Sequence, residues 1–290
     1  MNVDIPTFND DLRDFDTLFE VWEKVVNSKS DVIFNFSKCC FLRPNAVAFL
    51  GGLIRLVQSQ SYKVTINRDT LRDDIKMNLQ QNGFMHCFCE DKEAWQGNSI
   101  PYREDIKQDK DGFVYYLSEQ WLGRGWVSID QNLRNLIVGA VWEIYTNAFE
   151  HGHTEIGVFS CGQHYPSLNQ LQLTVVDFGV GIPYNVRQFQ NNRTLAADKA
   201  LQWAFQAGTS TRYGNVAGGV GLDYLKTFVK NNRGKLEFFS QDGYVVIDEN
   251  QDIYETRQSF FQGTLVNITL QCDENVYIRV SDADDEEQLF

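Results

Sequence analysis

Residues 140–152, with the sequence AVWEIYTNAFEHG, decide how this chain is interpreted. They end an apolar pattern over about residues 131–151 that predicts a long helix. Its apolar positions recur at steps of three and four: Leu133, Ile137, Val141, Ile144 and Ala148. Residues four apart share a helical face, so Glu143 and Asn147 point the same way, with His151 one turn further. A carboxylate and an amide oxygen so placed suit a hydrated Mg²⁺ or an oriented water, although exposed residues of these types are more often simply solvated.

Two glycine-bearing turns follow along the chain. Residues 175–183, VVDFGVGIP, form an apolar strand that delivers Asp177 into a turn with Gly179 and Gly181. Glycines let a backbone approach a flat ligand, and a carboxylate at a strand end accepts a specific amine hydrogen bond. Residues 217–222, AGGVGL, run into an apolar helix, and the N–H groups at a helix N-terminus suit phosphate. An everyday Asp-x-Gly turn and a flexible glycine loop without a ligand are the alternatives.

Hydrophobic periodicity divides the chain into two units. In the first, strands near residues 31–36 and 62–66 alternate with helices near 45–60 and 71–82, which predicts a small α/β layer. Residues 91–112 are polar and lack a period, so they are predicted to be a connection. The second unit is predicted to be α/β (α+β), with helices on one face of a mixed, mostly antiparallel sheet. Its predicted elements after the long helix are strands at 156–160, 171–176, 235–239, 244–247 and 265–270 and a helix at 220–230.

Composition and charge restrict the class of function. The chain has 290 residues, with 26 Lys plus Arg against 39 Asp plus Glu, giving a formal net charge of −13. Such a surface repels phosphate backbones and anionic lipid headgroups, so nucleic-acid and membrane binding are not expected. The acidic first segment, MNVDIPTFNDDLRDFD, and the lack of an apolar run of ~20 residues predict a cytoplasmic protein. The six cysteines are expected to be thiols, and His86, Cys87 and Cys89 lack the second ligand pair of a closed zinc site.

Other nucleotide and hydrolase signatures do not occur in the sequence. There is no G-x-x-x-x-G-K-[ST] loop, and residues 217–222 do not lie between two parallel strands as a dinucleotide-binding turn does. The sequences typical of a nucleophile elbow and of a papain-like site are missing as well.

Four motifs occur in order along the second unit: Glu143-x-x-x-Asn147, Asp177-x-Gly179-x-Gly181, Gly219-x-Gly221-Leu222 and Gly263-Thr264. Together they resemble the GHKL ATP-binding domain that DNA gyrase and histidine kinases share, over about residues 125–272. Residues 140–152 look most like the bacterial anti-sigma-factor serine kinases, which carry Glu-x-x-Thr-Asn-Ala-x-x-His-Gly there. The fold that this resemblance implies is the GHKL (Bergerat) α/β sandwich.

The resemblance implies ATP and Mg²⁺ as cofactors. Under it, Asn147 coordinates Mg²⁺, and Glu143 is the base that orients or deprotonates the attacking group. Asp177 bonds the adenine amine, and Thr264 lies behind the adenine. Further glycines, the start of the following helix and a lid complete the implied nucleotide site: Gly179, Gly181, Gly218, Gly219, Gly221, Leu222, Thr209, Ser210, Thr211 and Arg212.

A second resemblance concerns the first unit. Residues 33–36 (IFNF), residues 40–42 (CFL) and the helix from Asn45 look like a STAS domain, the fold of the antagonists that those serine kinases phosphorylate. Antagonists carry Asp-Ser-Ser-Gly at the helix start, whereas residues 43–46 of this chain are Arg-Pro-Asn-Ala. Because no hydroxyl is available there, self-phosphorylation is disfavoured, and a docking or scaffolding role is the alternative.

These resemblances predict a STAS-like domain over residues 1–95, a linker or insertion over 96–124, the GHKL domain over 125–275 and an acidic tail over 276–290. The expected function is a Mg-dependent ATP-binding regulatory protein that hydrolyses ATP or transfers its phosphoryl group to a protein hydroxyl. A non-catalytic, ATP-gated interaction switch is the alternative, and a structural protein with a decayed pocket is disfavoured because all four motifs keep their polar and glycine positions. A protein partner is expected, a homodimer stays open, and bacterial stress signalling and phage defence both fit.

Overall fold

The computed structural model describes residues 1–89, 97–206, 221–272 and 277, and the strands in this part of the chain form two sheets. The strands are β1 (Asn2–Asp4), β2 (Val32–Asn35), β3 (Val64–Asn67), β4 (Ser99–Asp105), β5 (Val158–Tyr165), β6 (Gln170–Asp177), β7 (Lys235–Asp248) and β8 (Asp252–Gln271). The first sheet is parallel, in the order β1-β2-β3. The second is antiparallel, in the order β4-β5-β6-β8-β7. The predicted α/β class with a mostly antiparallel sheet is thus confirmed.

Helices pack on both faces of the five-stranded sheet. They are α1 (Leu12–Ser28), α2 (Pro44–Ser59), α3 (Asp73–Gln81), α4 (Phe84–Cys89), α5 (Lys110–Tyr115), α6 (Gln131–Glu150), α7 (Ile182–Phe189), α8 (Ala197–Ala204) and α9 (Gly221–Asn231). The bounds of α2, α3, α6 and α9 confirm the helices predicted from periodicity. No helix in the described ranges is both long enough and apolar enough to cross a membrane.

Side chains of the five-stranded sheet alternate between two cores. Leu173 and Val175 of β6 point to the core that α6, α8 and α9 cover, which we call the front face. Val176 points to the opposite core under α1 and α2, which we call the back face. This alternation follows from the two-residue period of a strand. Consecutive residues at the end of β6 therefore face different halves of the molecule.

Helices α1 and α2 lie between the two sheets. One continuous core joins Phe34 of the parallel sheet, Phe49 of α2 and Phe239 on the back face. Phe15 of α1 stacks on Phe239 with ring centroids 4.2 Å apart. Residues 44–54 of α2 are all buried, so the helix is covered on every side there, whereas the sequence predicted an apolar pattern on one side. The first unit therefore shares its core with the back face of the second.

The prediction of a connection before the long helix is wrong for residues 99–122. Residues 99–105 form β4, which pairs with β5 at the edge of the sheet. A π-helical segment, Tyr116–Trp121, continues α5, and Phe113 and Trp121 are fully buried in the front core. Polar residues lie between these buried aromatic residues, so the apolar positions show no regular helical or strand spacing in the sequence. The segment thus belongs to the second unit rather than linking two units.

Sequence reasoning also missed or divided several elements. Helix α1, with its apolar stripe in an acidic segment, and strand β1 were not predicted, and neither were α7 and α8 in the polar stretch after β6. The two predicted strands at 235–239 and 244–247 are one strand, β7, whose pairing with β8 shifts register near Gln241. The acidic tail lies outside the described residues except for Tyr277.

Candidate functional site

Helix α6 supports the candidate site along one side. The Asp130 side chain caps its N-terminus by accepting a hydrogen bond from the Leu133 N–H at 2.9 Å. At the other end, the Asn147 carbonyl accepts hydrogen bonds from the N–H groups of His151 and Gly152, at 2.9 and 3.0 Å. The Glu143 and Asn147 side chains, one turn apart between these ends, are both half-buried. The predicted common face of this pair is thus fixed by a regular, capped helix.

The turn after β6 rests on the C-terminal end of α6. The Val180 N–H donates to the Gly152 carbonyl at 2.7 Å. A Cβ added to Gly179 would lie 1.9 Å from that same carbonyl oxygen, so only glycine fits there. Gly181 has φ +80°, a left-handed conformation that also favours glycine. Both glycines predicted from the sequence therefore have a structural requirement at this contact.

Asp177 is the buried acid of the site. It ends β6 opposite Thr264 of β8 and is 6% exposed. Its Oδ1 accepts a hydrogen bond from the Gly179 N–H at 2.8 Å. Burial raises the pKa of this carboxyl to about 7, and the backbone N–H groups of Gly179 and Thr264 offset part of that rise. Near neutral pH the group is therefore able to accept or donate a hydrogen bond in a water-poor setting.

A pair of hydroxyl groups lies beside Asp177 in the sheet, on β8 and β7. Thr264, 9% exposed, lies with its Oγ1 3.0 Å from the Ser240 Oγ. The Ser240 hydroxyl also donates to the Gly263 carbonyl at 3.0 Å and accepts from the Ile182 N–H at 2.8 Å. Sequence reasoning missed Ser240, because a lone serine within an apolar strand gives no pattern. It joins β7, β8 and the start of α7 at one point.

A second residue that the sequence did not predict, Gln241, binds the turn that contains Gly179 and Gly181. Gln241 donates from its Nε2 to the Val180 carbonyl at 2.8 Å. Arg187 of α7 in turn donates from Nη1 to the Gln241 Oε1 at 2.6 Å. The backbone of Val180 is thus bonded on both sides, to Gly152 just after α6 through its N–H and to Gln241 of β7 through its carbonyl.

The third motif meets α6 through Glu143. The Glu143 Oε2 accepts a hydrogen bond of 2.8 Å from the N–H of Gly221, the first residue of α9. A Cβ on Gly221 would lie 2.5 Å from that oxygen. A carboxylate at a helix N-terminus is stabilised by the partial positive charge there. Leu222, the next residue, is 7% exposed within the front core, so its side chain packs against protein.

Six of the expected nucleotide contacts fall outside the described residues. They are Thr209, Ser210, Thr211, Arg212, Gly218 and Gly219. The predicted residues that the structure does describe are Glu143, Asn147, Asp177, Gly179, Gly181, Gly221, Leu222 and Thr264.

The described residues fit a hard cation shared with a ligand better than a closed protein metal site. No cluster of three or more His, Cys, Asp and Glu side chains in the described ranges has the geometry to hold a metal. The half-buried Asn147 offers an amide oxygen, and Mg²⁺ is usually held by one or two protein oxygens together with phosphates and waters. Asn147 thus supplies at most one protein oxygen to such an ion.

Comparisons with known proteins add no family to these observations. The chain matches no protein-family model, and a search of the curated proteins finds no match either. The contacts around α6 are therefore the observations on which a functional proposal can rest.

Proposed function

We propose that this protein is a Mg-dependent ATP-binding regulatory protein of the GHKL type, which hydrolyses ATP or transfers its phosphoryl group to a protein hydroxyl. One observation carries the proposal: two turns distant in sequence bond to α6 and to the residues directly after it. The Val180 N–H meets Gly152 at 2.7 Å, and the Gly221 N–H meets Glu143 at 2.8 Å. The Glu143 carboxylate, the Asn147 amide oxygen and the N-terminus of α9 thereby lie along about two turns of α6.

Each described residue has a role in this proposal. Asp177 accepts a hydrogen bond from the adenine amine in its buried position, and Thr264 packs behind the ring. Gly179 and Gly181 let the backbone pass close to the base and ribose. The Asn147 amide oxygen holds Mg²⁺, which neutralises phosphate charge when bound. The N-terminus of α9 offers N–H groups and a partial positive charge to the phosphates.

Glu143 is the candidate catalytic base. Its carboxylate is held by the Gly221 N–H, so its position is set before a ligand arrives. From there it orients the attacking water or hydroxyl and accepts its proton. Phosphoryl transfer depends mainly on positioning and on charge neutralisation, so a single well-placed carboxylate suffices.

The same hydrogen bond favours a second candidate function, a non-catalytic switch. A Glu143 carboxylate that caps α9 is engaged in a structural contact, which couples α6 to the start of α9. ATP binding at that helix N-terminus would then reorganise the contact and present a surface to a protein partner without turnover. The STAS-like unit, with Asn45 in place of an acceptor serine, would act as the docking module. Asn45 is buried and donates to Asp10 at 3.0 Å.

Turnover and binding measured together separate the two candidates. We would measure Mg-dependent ATP turnover and binding of a non-hydrolysable ATP analogue for wild type, Glu143→Gln and Asp177→Asn. Glu155→Gln serves as the control, since Glu155 is exposed beyond the end of α6. Glutamine keeps an acceptor for the Gly221 N–H but cannot act as a base.

The expected result for the enzyme is that Glu143→Gln binds the analogue like wild type and loses turnover by about 100-fold or more. Asp177→Asn is expected to weaken analogue binding, because an amide presents a donor where the adenine amine needs an acceptor. Binding without turnover in wild type would select the switch. If wild type binds neither ATP nor the analogue, the proposed function is wrong.

A further inference from the structure

Helix α2 carries two adjacent glycines in its interior, Gly51 and Gly52. Glycine inside a helix is less favourable than alanine by about 1 kcal/mol, so a pair of glycines requires a compensating reason. Space provides it. A Cβ on Gly51 would lie 2.1 Å from the Tyr102 hydroxyl oxygen of β4, and a Cβ on Gly52 would lie 2.1 Å from Cε2 of Phe178. The glycines let α2 lie directly on the back face of the five-stranded sheet.

Phe178 is the residue between Asp177 and Gly179 in the second motif. It is 8% exposed and lies in the core of the first unit. Its ring centroid is 5.2 Å from that of Phe49 on α2 and 5.2 Å from that of Phe261 on β8. A third ring, Phe159 of β5, lies 6.0 Å away. The side chain is thus held by an aromatic cluster to which α2 contributes directly.

Strand alternation makes residues 177 and 178 a connection between the two units. Val176 and Phe178 belong to the back core, whereas the Asp177 carboxylate bonds to the turn that α6 supports. Asp177 and Phe178 are joined by one peptide bond. A displacement of the Phe178 ring therefore moves the backbone that carries Asp177 and the Gly179 N–H. Packed aromatic cores transmit such displacements, because they have few voids to absorb them.

We propose that α2 of the first unit positions the turn that carries Asp177 in the nucleotide site. Through the contact of Gly52 with Phe178, α2 thereby controls nucleotide affinity. This inference rests on the proposed function and adds a regulatory route to it. Gly52 and Phe178 are positioning residues, since their contacts are with the back core. A partner that shifts α2 changes nucleotide affinity, and by thermodynamic reciprocity the nucleotide changes affinity for that partner by the same factor.

The two glycines supply a matched pair of variants. Gly52→Ala and Gly51→Ala make the same chemical change one residue apart, and in both the nearest atom lies 2.1 Å from the added Cβ in the unrelaxed structure. Only the Cβ of Gly52→Ala meets a residue of the second motif, Phe178. We would measure the Kd of a non-hydrolysable ATP analogue and the urea midpoint for both. Gly52→Ala is expected to weaken binding at least tenfold, and Gly51→Ala less than threefold.

Size compensation distinguishes positioning from general damage. Phe178→Leu alone is expected to fold and to weaken analogue binding, since it loosens the ring cluster behind Asp177. Combined with Gly52→Ala, the smaller Leu side chain makes room for the new Cβ, so the double variant is expected to recover affinity relative to Gly52→Ala. Affinities that follow the urea midpoints of all variants would overturn the proposal, and so would a Phe178→Leu protein with wild-type affinity.

A nucleotide-free readout separates failure of this inference from failure of the proposed function. Hydrogen exchange at the Val180 N–H reports its bond to Gly152. Faster exchange at this amide in Gly52→Ala than in Gly51→Ala supports the coupling even if wild type binds no nucleotide, in which case only the proposed function is wrong. Equal exchange in both variants overturns the coupling.

Discussion

At the scale of single residues, the site combines one perturbed acid with glycines that have no room for a side chain. Asp177 lies in a nearly dry position, and its pKa is raised to about 7 by burial. Around it, the Gly179 position has a carbonyl 1.9 Å from where a Cβ would be. A carboxyl whose pKa is raised by burial, next to backbone that leaves no room for a side chain, makes this turn a candidate binding site.

Replacing Asp177 tests its raised pKa. The folded protein keeps this proton between about pH 4 and 7 while the unfolded chain releases it, so this group makes stability fall as pH rises through that window. Asp177→Asn removes the effect. The free energy of unfolding of the variant minus that of wild type is expected to rise by on the order of 4 kcal/mol from pH 4 to pH 8.

Urea denaturation at several pH values measures this difference. Glu23→Gln, at an exposed position of α1, is the control and should keep the wild-type pH profile. Parallel profiles for Asp177→Asn and wild type would show that the buried carboxyl does not titrate in this range.

Gly263 beside Thr264 provides a second residue-scale prediction. It has φ +142°, and a Cβ there would lie 2.2 Å from the Asp177 carbonyl oxygen. Gly263→Ala is expected to lower the free energy of unfolding by on the order of 3 kcal/mol. Gly139→Ala in α6, where a Cβ meets nothing within 4 Å, should instead stabilise by up to about 1 kcal/mol. Thermal melts of both variants compare the two, and equal shifts would refute the steric reason.

At the scale of elements, the segment before α6 illustrates how a polar stretch becomes part of a core. Phe113 stacks on Tyr145 of α6 with centroids 3.9 Å apart. Arg103 of β4 donates to Asp105 at 2.6 Å and to Asp109 at 2.9 Å. Arg103, Asp105 and Asp109 are thus paired with one another, while Phe113 and Trp121 point inward.

The contribution of this segment is measurable with two aromatic substitutions. Trp121→Ala is expected to cost about 4 kcal/mol, because the Trp121 ring is fully buried in the front core. Tyr115→Ala should change stability by less than about 0.5 kcal/mol, since Tyr115 is 59% exposed. Urea unfolding of both variants tests this. A neutral Trp121→Ala would mean that the segment is a peripheral insertion after all.

At the scale of the whole molecule, the two units are joined through one core rather than by a tether. Phe19 of α1 stacks on Phe261 of β8 at 5.2 Å, and the Arg257 side chain pairs with Asp16 at 2.8 Å. The back face of the large sheet is apolar where α1 and α2 cover it. Such a face is not stable in water without its cover.

Removal of residues 1–89 is therefore expected to yield an insoluble protein or one that binds the dye ANS. Expression of the remaining residues 90–290 tests this, and co-expression of residues 1–89 as a separate chain should restore solubility. A soluble fragment with native near-ultraviolet circular dichroism would show that the second unit folds alone. In that case, the back face does not need α1 and α2.

Strong local patterns made several elements predictable. The stripe of α6 and the apolar run of β6 each needed only their own residues, so their bounds were close. Helices α7 and α8 have short stripes within polar surroundings, and their burial depends on β7 and the turn after β6. The acid and glycines of the site were visible as motifs, but Ser240 and Gln241 became part of it only through partners about 60 residues away.

The sequence by itself determined the local character of the elements: a long helix with Glu143 and Asn147 on one face, a strand ending in Asp177, and a helix α2 with apolar residues along one side. Tertiary structure alone decided what covers each surface. It placed α2 between two sheets, brought Gly52 against Phe178, and bonded Glu143 to Gly221. The physical reason is that periodicity records how much of a surface is buried, whereas the partner that buries it is chosen by packing between distant segments.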